Sequence, residues 1–309
     1  MARYARVTSI SYEGVQGEGP QRRKQSLDRA MAMVDEAGRD QPDLIVLPEV
    51  FVDLGCSKWD YDALAEEVPG PLFDTVAARA KQYGCYICCP MVHREGGHVY
   101  NAVVLIDRKG EPIGEYTKYY PTIWEMDGGI APGQNVPVFT TDFGRLGIAI
   151  CFDLNFWDVG HALKAAGSEI IAFCSMYRGG FQLRAWAYVL RQFIVSATPR
   201  ENSMIIDPLG RVLAESSDYG RIISQRINLD TEVVHIDFNQ EGVRKAKAKY
   251  GNRLDLVVHS PEAMYMLTSR HPKVTVDQML DEFGLERLDA YYERARKHRA
   301  SCLTKSARS

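Results

Sequence analysis

The stretch GIAICFDLNF, residues 147–156, has a cysteine where an aliphatic run ends. A thiolate is a strong nucleophile, but a free thiol with a pKa of about 8.5 is mostly protonated at neutral pH. Cys151 can therefore do chemistry only where a base or a cation draws its proton away. A cysteine in a buried strand is otherwise a small apolar filler. Its partners must decide between these two interpretations.

Histidine is the usual base for such a thiol, but no histidine is singled out here. His161 follows Cys151 by ten residues, well along the helix predicted after this strand. His93 and His98 flank a Gly-Gly turn, where an exposed histidine is unremarkable. The sequence therefore permits a Cys-His pair without indicating one.

Two charged residues lie where charge is costly. Glu49 ends the aliphatic segment LIVLPE, and Lys118 lies among tyrosines in GEYTKYYPT. A charged side chain at the end of a buried strand needs a partner or a functional site. Each has an ordinary alternative: a glutamate that faces solvent, and a lysine whose stem packs while its ammonium reaches water.

The three segments together have a specific order. Lys118 follows Glu49 by 69 residues, and Cys151 follows Lys118 by 33. With the Pro-Gly pair at 132–133 and the later segment IIDPLGRVLAES, this order resembles the nitrilase superfamily of carbon-nitrogen hydrolases over roughly residues 4–240. The resemblance implies a Glu-Lys-Cys triad. In it Glu49 is the general base, Lys118 stabilises the oxyanion and Cys151 is the nucleophile.

A second glutamate belongs to the implied site. Glu125 follows Lys118 by seven residues, a spacing at which relatives carry a glutamate that positions substrate or water. Asp127 is a nearby competitor, and we assign the role to Glu125. The backbone N–H of Phe152 is expected to share the oxyanion with Lys118. The implied chemistry requires neither a metal nor an organic cofactor.

The predicted reaction is attack of the thiolate on an amide carbonyl or nitrile carbon. Negative charge then builds on oxygen or nitrogen, where an ammonium and a backbone N–H stabilise it. The carboxylate accepts the thiol proton and delivers it to departing ammonia or amine. It then deprotonates the water that hydrolyses the thioester.

The residues after the nucleophile favour one branch of the superfamily. The Cys-Phe-Asp at 151–153 is closer to amidases and N-carbamoyl amide hydrolases, whereas the Glu125 spacing favours nitrilases. A Trp-Asp at 157–158 replaces the common Pro-Glu, so a substrate name does not transfer. We predict hydrolysis of a small linear amide or N-carbamoyl amide, with nitrile hydrolysis as the alternative. A non-catalytic scaffold is disfavoured because all three triad residue types are present.

Side chains near the strand ends are the substrate-binding candidates. Arg178, in SMYRGG, could pair with the carboxylate of an N-carbamoyl amino acid. An arginine at the rim without that role is an equal alternative. The candidates are Tyr119, Trp124, Asn155, Tyr177 and Arg178, with Phe156 and Met176 as further pocket residues.

The composition is that of an ordinary globular protein. A net charge of −3 gives no reason to expect a nucleic-acid partner, and the RKAKAK run at 244–249 is interpreted as a solvated helix face. The sequence has no apolar segment of signal-peptide or membrane-span length, so we expect a cytoplasmic protein without a membrane partner. The seven cysteines then remain reduced, and CYICC at 85–89 is interpreted as filler in a buried strand.

Alternating strand and helix patterns predict an α/β fold. The resemblance implies a four-layer α-β-β-α sandwich, placed at residues 1–260 and followed by a helical extension at 261–309 that packs on a partner subunit. Relatives pair through helices that correspond to 157–167 and 182–194. We therefore expect a homodimer or a higher homo-oligomer. Near the end of the sandwich, SQRINLDTEVVHIDF predicts a single strand.

Overall fold

The computed structural model describes residues 2–306. The strands in this range are β1 (Tyr4–Ile10), β2 (Leu44–Val46), β3 (Tyr86–Glu95), β4 (His98–Ile106), β5 (Pro112–Thr117), β6 (Val138–Thr140), β7 (Arg145–Ile150), β8 (Ile170–Cys174), β9 (Phe193–Ala197), β10 (Met204–Ile206), β11 (Val212–Glu215), β12 (Ile222–Asn228), β13 (Thr231–His235), β14 (Leu254–His259) and β15 (Met264–Ser269). The α-helices are α1 (Gly19–Gly38), α2 (Tyr61–Leu64), α3 (Pro71–Tyr83), α4 (Ile123–Asp127), α5 (Trp157–Ala165), α6 (Gly180–Leu190), α7 (Gln240–Tyr250), α8 (Val276–Phe283) and α9 (Leu288–Ser306).

The chain forms two compact units. Residues 5–227 make the larger unit, and residues 228–306 with residues 2–4 make the smaller one. The larger unit contains two six-stranded mixed sheets, in the orders β12-β1-β2-β3-β4-β5 and β11-β10-β9-β8-β7-β6. The pairs β1–β2, β2–β3, β7–β8 and β8–β9 are parallel. Parallel neighbours end at the same edge of a sheet, so the residues that follow β2 lie at one edge of the first sheet, and those that follow β7 lie at one edge of the second.

The two sheets pack face to face with helices outside them. Between the sheets, the Ser9 hydroxyl of β1 donates to the Ser196 carbonyl of β9 at 2.6 Å. Apolar faces of α1 and α3 cover the first sheet, and those of α5 and α6 cover the second. The larger unit is the predicted four-layer α-β-β-α sandwich.

Local signals set the ends of the sandwich helices. Pro71 begins α3, where the N–H that proline lacks would have no helical partner. Gly84 ends this helix with φ of +59°, a left-handed conformation that glycine adopts without steric cost. These signals set the two ends of α3, and its buried residues Leu72, Phe73 and Val76 pack in the core with the first sheet.

The smaller unit has a sheet of its own, with the order β13-β15-β14 and antiparallel pairs. The boundary that the sequence placed at residue 260 falls between β14 and β15, which pair from Leu254↔Ser269 to His259↔Met264. The contacts therefore divide the chain near residue 228, and the segment after 260 contains a strand as well as helices. Packing of that segment on a partner subunit stays a prediction.

The structure contradicts one further sequence interpretation and agrees with another. The prediction of one strand for SQRINLDTEVVHIDF is wrong, because β12 and β13 are separate strands in different sheets. The RKAKAK run lies on α7, where Val243 and Ala246 are buried and the Lys245 ammonium pairs with Glu241 at 2.7 Å. This arrangement agrees with a solvated helix face. Among residues 2–306, no helix has the length and apolar character needed to cross a bilayer.

Candidate active site

Three polar residues follow the ends of three strands of the sandwich. Glu49 comes three residues after β2, Lys118 directly follows β5 and Cys151 directly follows β7. Lys118 Nζ lies 2.7 Å from Glu49 Oε1. These two side chains are buried, with 1% and 2% exposure. A buried charge needs a close partner, so each residue accounts for the position of the other.

Glu125 is the second carboxylate at Lys118. It is the third residue of α4, where its Oε2 accepts from the Thr122 N–H at 2.8 Å while the Thr122 hydroxyl accepts from the Glu125 N–H. This capping box fixes the side chain at the start of the helix. Lys118 Nζ donates to Glu125 Oε2 at 2.8 Å. The structure thus brings Glu125 to the lysine, whereas Asp127 is exposed on the same helix.

Electrostatics keep the lysine charged. Burial alone would lower the pKa of Lys118, but Glu49, Glu125 and the thiol of Cys151 raise it well above its usual value. Burial would raise the pKa of Glu125, but Lys118 and hydrogen bonds from neighbouring donors hold it below its usual value. The site therefore holds a fixed ammonium in a buried cluster.

Cys151 begins a short 3-10 helix directly after β7. The Ser175 hydroxyl and the Met176 N–H lie near the sulfur and act to lower the pKa of Cys151. In the resting site the Ser175 hydroxyl donates to the Tyr177 carbonyl at 2.7 Å. The Met176 N–H donates to Glu49 Oε2 at 2.9 Å. Burial and the charge of Glu49 raise the pKa of Cys151 to about 12, against the lowering effect of Lys118. The resting thiol is protonated at neutral pH and needs a base, and the carboxylate of Glu49 lies within electrostatic range of it.

Backbone strain marks two of the three strand ends. Cys151 has φ of +45°, and Val50, next to Glu49, has φ of +41°. Such a conformation in a residue other than glycine costs about 1–3 kcal/mol and persists only where the surrounding structure enforces it. Strain of this kind is typical of sites where the chain must turn sharply to present a side chain.

Asn101 is a site residue that sequence reasoning missed. It lies in β4, and its Nδ2 donates to Glu49 Oε1 at 2.8 Å and to Glu125 Oε1 at 2.7 Å. The available signal was an amide in the largely apolar strand HVYNAVVLI. A single polar residue in a strand has many ordinary explanations, so this signal was not specific.

Asp153 fixes the turn that carries the nucleophile. Its carboxylate accepts hydrogen bonds from the Tyr116 hydroxyl at 2.7 Å and from the N–H groups of Ile150 and Tyr120, both at 2.8 Å. Burial raises the pKa of Asp153 to about 6, although these donors oppose the shift. These bonds join the segment around β5 to the turn after β7. They fix the position of the segment that carries Lys118 relative to the turn that carries Cys151.

Three of the predicted substrate-binding residues make polar contacts at the rim of the site. Arg178 is already paired, with Nη2 at 3.0 Å from Glu201 Oε1. The Tyr177 hydroxyl donates to Gln182 Oε1 at 3.1 Å, and Gln182 Nε2 donates to Asn155 Oδ1 at 3.0 Å. Burial and the nearby thiol raise the pKa of Tyr177 to about 12. Of these residues, Tyr177 therefore lies within electrostatic range of Cys151.

The aromatic candidates are held by ring contacts. Trp124 is 61% exposed on α4 and packs edge-to-face on Tyr61, with ring centroids 5.9 Å apart. Tyr119 and Phe156 both pack on Tyr120, at 5.0 Å and 3.8 Å between ring centroids. Phe152 lies in the first turn of the 3-10 helix, where a backbone N–H has no partner within the helix. That position suits an oxyanion donor.

A group of possible metal ligands lies in the larger unit, outside the candidate active site. In the described part of the chain, His93, Glu95 and Glu115 place donor atoms within 4.8 Å of one another. His93 Nε2 lies 3.1 Å from Glu115 Oε2, and His93 Nδ1 lies 3.0 Å from the Glu66 carbonyl. These contacts account for an ion pair between β3 and β5, and the predicted chemistry uses none of these residues.

Curated proteins with similar sequences are nitrilases and amidases. A bifunctional nitrilase/nitrile hydratase of Lupinus angustifolius is 27% identical over 300 residues, covering 80% of this chain and 82% of the relative. An omega-amidase of Xenopus tropicalis is 23% identical over 238 residues, covering 67% and 84%. The deaminated glutathione amidase of Homo sapiens is 26% identical over 241 residues, covering 67% and 73%.

Solved structures of this superfamily share the fold. A carbon-nitrogen hydrolase superfamily protein of Xanthomonas campestris, with an arsenic adduct in its active site, matches with a TM-score of 0.63 at 18% identity over 80% of this chain and 95% of that one. A mutant amidase of Nesterenkonia sp. AN1, with the acetamide moiety of fluoroacetamide on its active-site cysteine, matches with a TM-score of 0.62 at 17% identity over 73% and 90%. The sequence model of the carbon-nitrogen hydrolases matches residues 14–233. The chain therefore belongs, as its motifs predict, to the carbon-nitrogen hydrolase family of enzymes within the nitrilase superfamily.

Proposed function

We propose that this carbon-nitrogen hydrolase cleaves a small linear amide or N-carbamoyl amide through a thioester on Cys151. The observation that carries the proposal is the buried contact of Lys118 Nζ with Glu49 at 2.7 Å and with Glu125 at 2.8 Å, in electrostatic contact with the thiol. A protonated nucleophile, a carboxylate base and a fixed ammonium are the groups that acyl transfer to sulfur requires.

In the first step Glu49 takes the thiol proton while sulfur bonds to the carbonyl carbon. The electrons of the carbonyl π bond move to its oxygen, where the Lys118 ammonium and the Phe152 N–H stabilise the charge. When this intermediate collapses, the C–N bond breaks and the proton passes from Glu49 to the departing ammonia or amine. The acyl group remains on Cys151 as a thioester.

Water completes the reaction. Glu49 deprotonates a water molecule, whose oxygen bonds to the thioester carbon, and the C–S bond then breaks. The thiolate recovers its proton from Glu49, and the acid leaves. Glu125, fixed by Lys118 and Thr122, positions the water or the substrate amide. The sum is one water consumed, with one acid and one ammonia or amine released.

Nitrile hydrolysis is the second candidate. It is supported by the spacing of Glu125 after Lys118 and by the relative named as a nitrilase/nitrile hydratase. We place the amide first because of the Cys-Phe-Asp sequence at 151–153 and the relatives named omega-amidase and deaminated glutathione amidase. A binding or scaffold role is disfavoured because it would require neither a cysteine with a strained backbone nor the buried ammonium of Lys118 near its thiol.

A matched panel of one amide, one N-carbamoyl amide and one nitrile on the same carbon skeleton tests the proposal. Acid, amide and ammonia are quantified for each compound. We expect turnover of the amide or the ureido compound, and a nitrile-only profile would reverse our order. Cys151→Ala is expected to abolish turnover, whereas Cys302→Ala, at an exposed thiol on α9, should retain it. The scaffold alternative gains support if the whole panel is inert and iodoacetamide labels all seven cysteines uniformly.

We also propose that the protein forms a homodimer or a higher homo-oligomer. Trp157 on α5 is 42% exposed and Phe181 on α6 is 80% exposed. These helices correspond to the segments through which relatives pair. Light scattering at micromolar concentration should give at least the mass of a dimer, and the mass of a monomer would contradict the proposal. A cytoplasmic location stays a prediction.

A further inference from the structure

The amide of Asn101 joins the two carboxylates of the site. Asn101 is 3% exposed, and its Nδ2 donates to Glu49 Oε1 at 2.8 Å and to Glu125 Oε1 at 2.7 Å. An amide nitrogen carries two hydrogens, so both are used on carboxylates. The backbone carbonyl of Asn101 also accepts from the Lys118 N–H at 2.8 Å. Asn101 therefore contacts all three charged residues of the cluster.

The orientation of this amide is determined by its surroundings. Asn101 Oδ1 is buried without a hydrogen-bond partner, which costs free energy. Turning the amide over would direct that oxygen at two carboxylate oxygens and remove both donors. The residue therefore gives up one acceptor in order to supply two donors. A neutral amide supplies them without adding a second positive charge to the site.

Two carboxylates in one buried site tend to share a proton, because their charges repel each other. The other oxygens of this pair have separate backbone donors, Met176 for Glu49 and Thr122 for Glu125. At the facing Oε1 atoms, the Asn101 amide is the neutral donor common to both. Without it, a proton shared between the two glutamates would neutralise the charge with which Glu49 acts as a base.

We propose that Asn101 is a positioning residue that keeps Glu49 and Glu125 as two separate, unprotonated carboxylates, so that Glu49 alone carries the proton of the reaction. This inference rests on the proposed function, because it explains how the two glutamates keep different roles. The other titratable groups that face the cluster from neighbouring elements are Tyr61, Lys118, Cys151, Asp153 and Cys174. Of these, Lys118 donates to both carboxylates, but the oxyanion also needs its charge.

Two substitutions at Asn101 are expected to move the pH profile in opposite directions. In Asn101→Ala both carboxylates lose a donor, so the acid limb of kcat/KM moves up by about one pH unit. The kcat falls about 10²-fold, with little change in KM. In Asn101→Asp the new carboxyl can donate only when it is protonated. Activity is therefore lost at neutral pH and partly recovered as the pH falls.

Gln192→Ala is a matched control outside the site. Gln192 is also 3% exposed, donates through Nε2 to the carbonyl and the hydroxyl of Ser168, and leaves Oε1 without a partner. Its loss should lower the midpoint of thermal unfolding without moving the pH profile. The proposal is overturned if the Asn101 variants behave in the same way, or if both shift the profile in one direction.

Alkylation of Cys151 by iodoacetamide, mapped by peptide analysis across pH, tests Asn101 without a substrate. If the alkylation profile against pH is shifted in Asn101→Ala, the role of Asn101 is supported, even when no compound of the panel is turned over. A lack of turnover would count only against the proposed function. A profile identical to that of the unmodified protein overturns the role of Asn101, whatever the substrate is.

Discussion

Two parts of the candidate site are held in different ways. The inner cluster consists of Glu49, Asn101, Lys118 and Glu125, and the rim consists of Trp124, Asn155, Tyr177 and Arg178. In the inner cluster each carboxylate oxygen has at least one donor within 2.9 Å. The rim relies on ring contacts and on hydrogen bonds or an ion pair between exposed side chains.

This difference separates the chemistry from the choice of substrate. Breaking a buried ion pair leaves an uncompensated charge and costs about 3–5 kcal/mol, whereas an exposed pair contributes about 0–1 kcal/mol. Changes in the inner cluster should therefore reduce both rate and stability. Changes at the rim should alter affinity for particular substrates and leave the fold intact.

Replacement of Lys118 should have the largest effect. Lys118→Ala leaves two buried carboxylates without a cation, so the free energy of unfolding should fall by about 3–5 kcal/mol and kcat by at least about 10³-fold. Urea denaturation and steady-state kinetics measure the two effects. Lys245→Ala, which removes an exposed ammonium, is the control and should change neither. Full stability in Lys118→Ala would contradict the buried pairing.

Glu125→Gln should have a smaller, pH-dependent effect. Because the folded protein lowers the pKa of Glu125, its contribution to stability is present above the ordinary value of 4.5 and is lost as the pH falls below it. We expect a loss of about 1 kcal/mol at pH 6 that diminishes below about pH 4.5, and a kcat lower by about 10²-fold. Urea midpoints between about pH 3.5 and 6 measure the stability term. If the urea midpoints of the unmodified protein and of Glu125→Gln depend on pH in the same way, Glu125 is not the ionised carboxylate that we infer.

Arg178 and Glu201 test specificity at the rim. Arg178→Ala should raise KM about tenfold for a ureido substrate with a carboxylate and leave KM unchanged for a neutral amide. Glu201→Gln frees the guanidinium from a weak surface pair, so KM for the same ureido substrate should fall about threefold. If KM changes equally for the ureido substrate and the neutral amide, Arg178 does not recognise the carboxylate.

Trp124→Ala should have the smallest effect. Its ring is largely exposed, so we expect KM to change about two- to fivefold, while the free energy of unfolding stays within about 0.5 kcal/mol. Tyr219→Ala, at a fully exposed ring, is the control for loss of an aromatic side chain. A large fall in kcat would place Trp124 in the chemistry rather than at the rim.

Much of the site was predictable because its charged residues follow aliphatic strands. Glu49, Lys118 and Cys151 stand out for this reason, and their order gave the family, the sandwich fold and the hydrolase class, all of which are confirmed. The roles of these residues, and that of Glu125, stay predictions, although the structure brings Glu125 to the lysine that its spacing indicated.

Asn101 and Asp153 were less accessible from the sequence because their importance depends on their partners. Asn101 binds Glu49 across 52 residues of the chain, and Asp153 binds Tyr116 across 37. The boundary near 228 was missed for a similar reason. The sequence analysis interpreted the segment after 260 as helical, whereas β15 lies in it and pairs with β13 and β14 in a sheet of their own.

By itself the sequence determined most strand and helix elements of the sandwich, the chemical types at the strand ends and their order along the chain. Only the tertiary structure decided which donor faces which carboxylate, where the compact units divide and which side chains remain at the rim. The physical reason is that burial follows the period of each element and can be read locally. A hydrogen bond instead requires two particular atoms within about 3 Å, and residues distant in sequence meet that condition only after the sheets have packed.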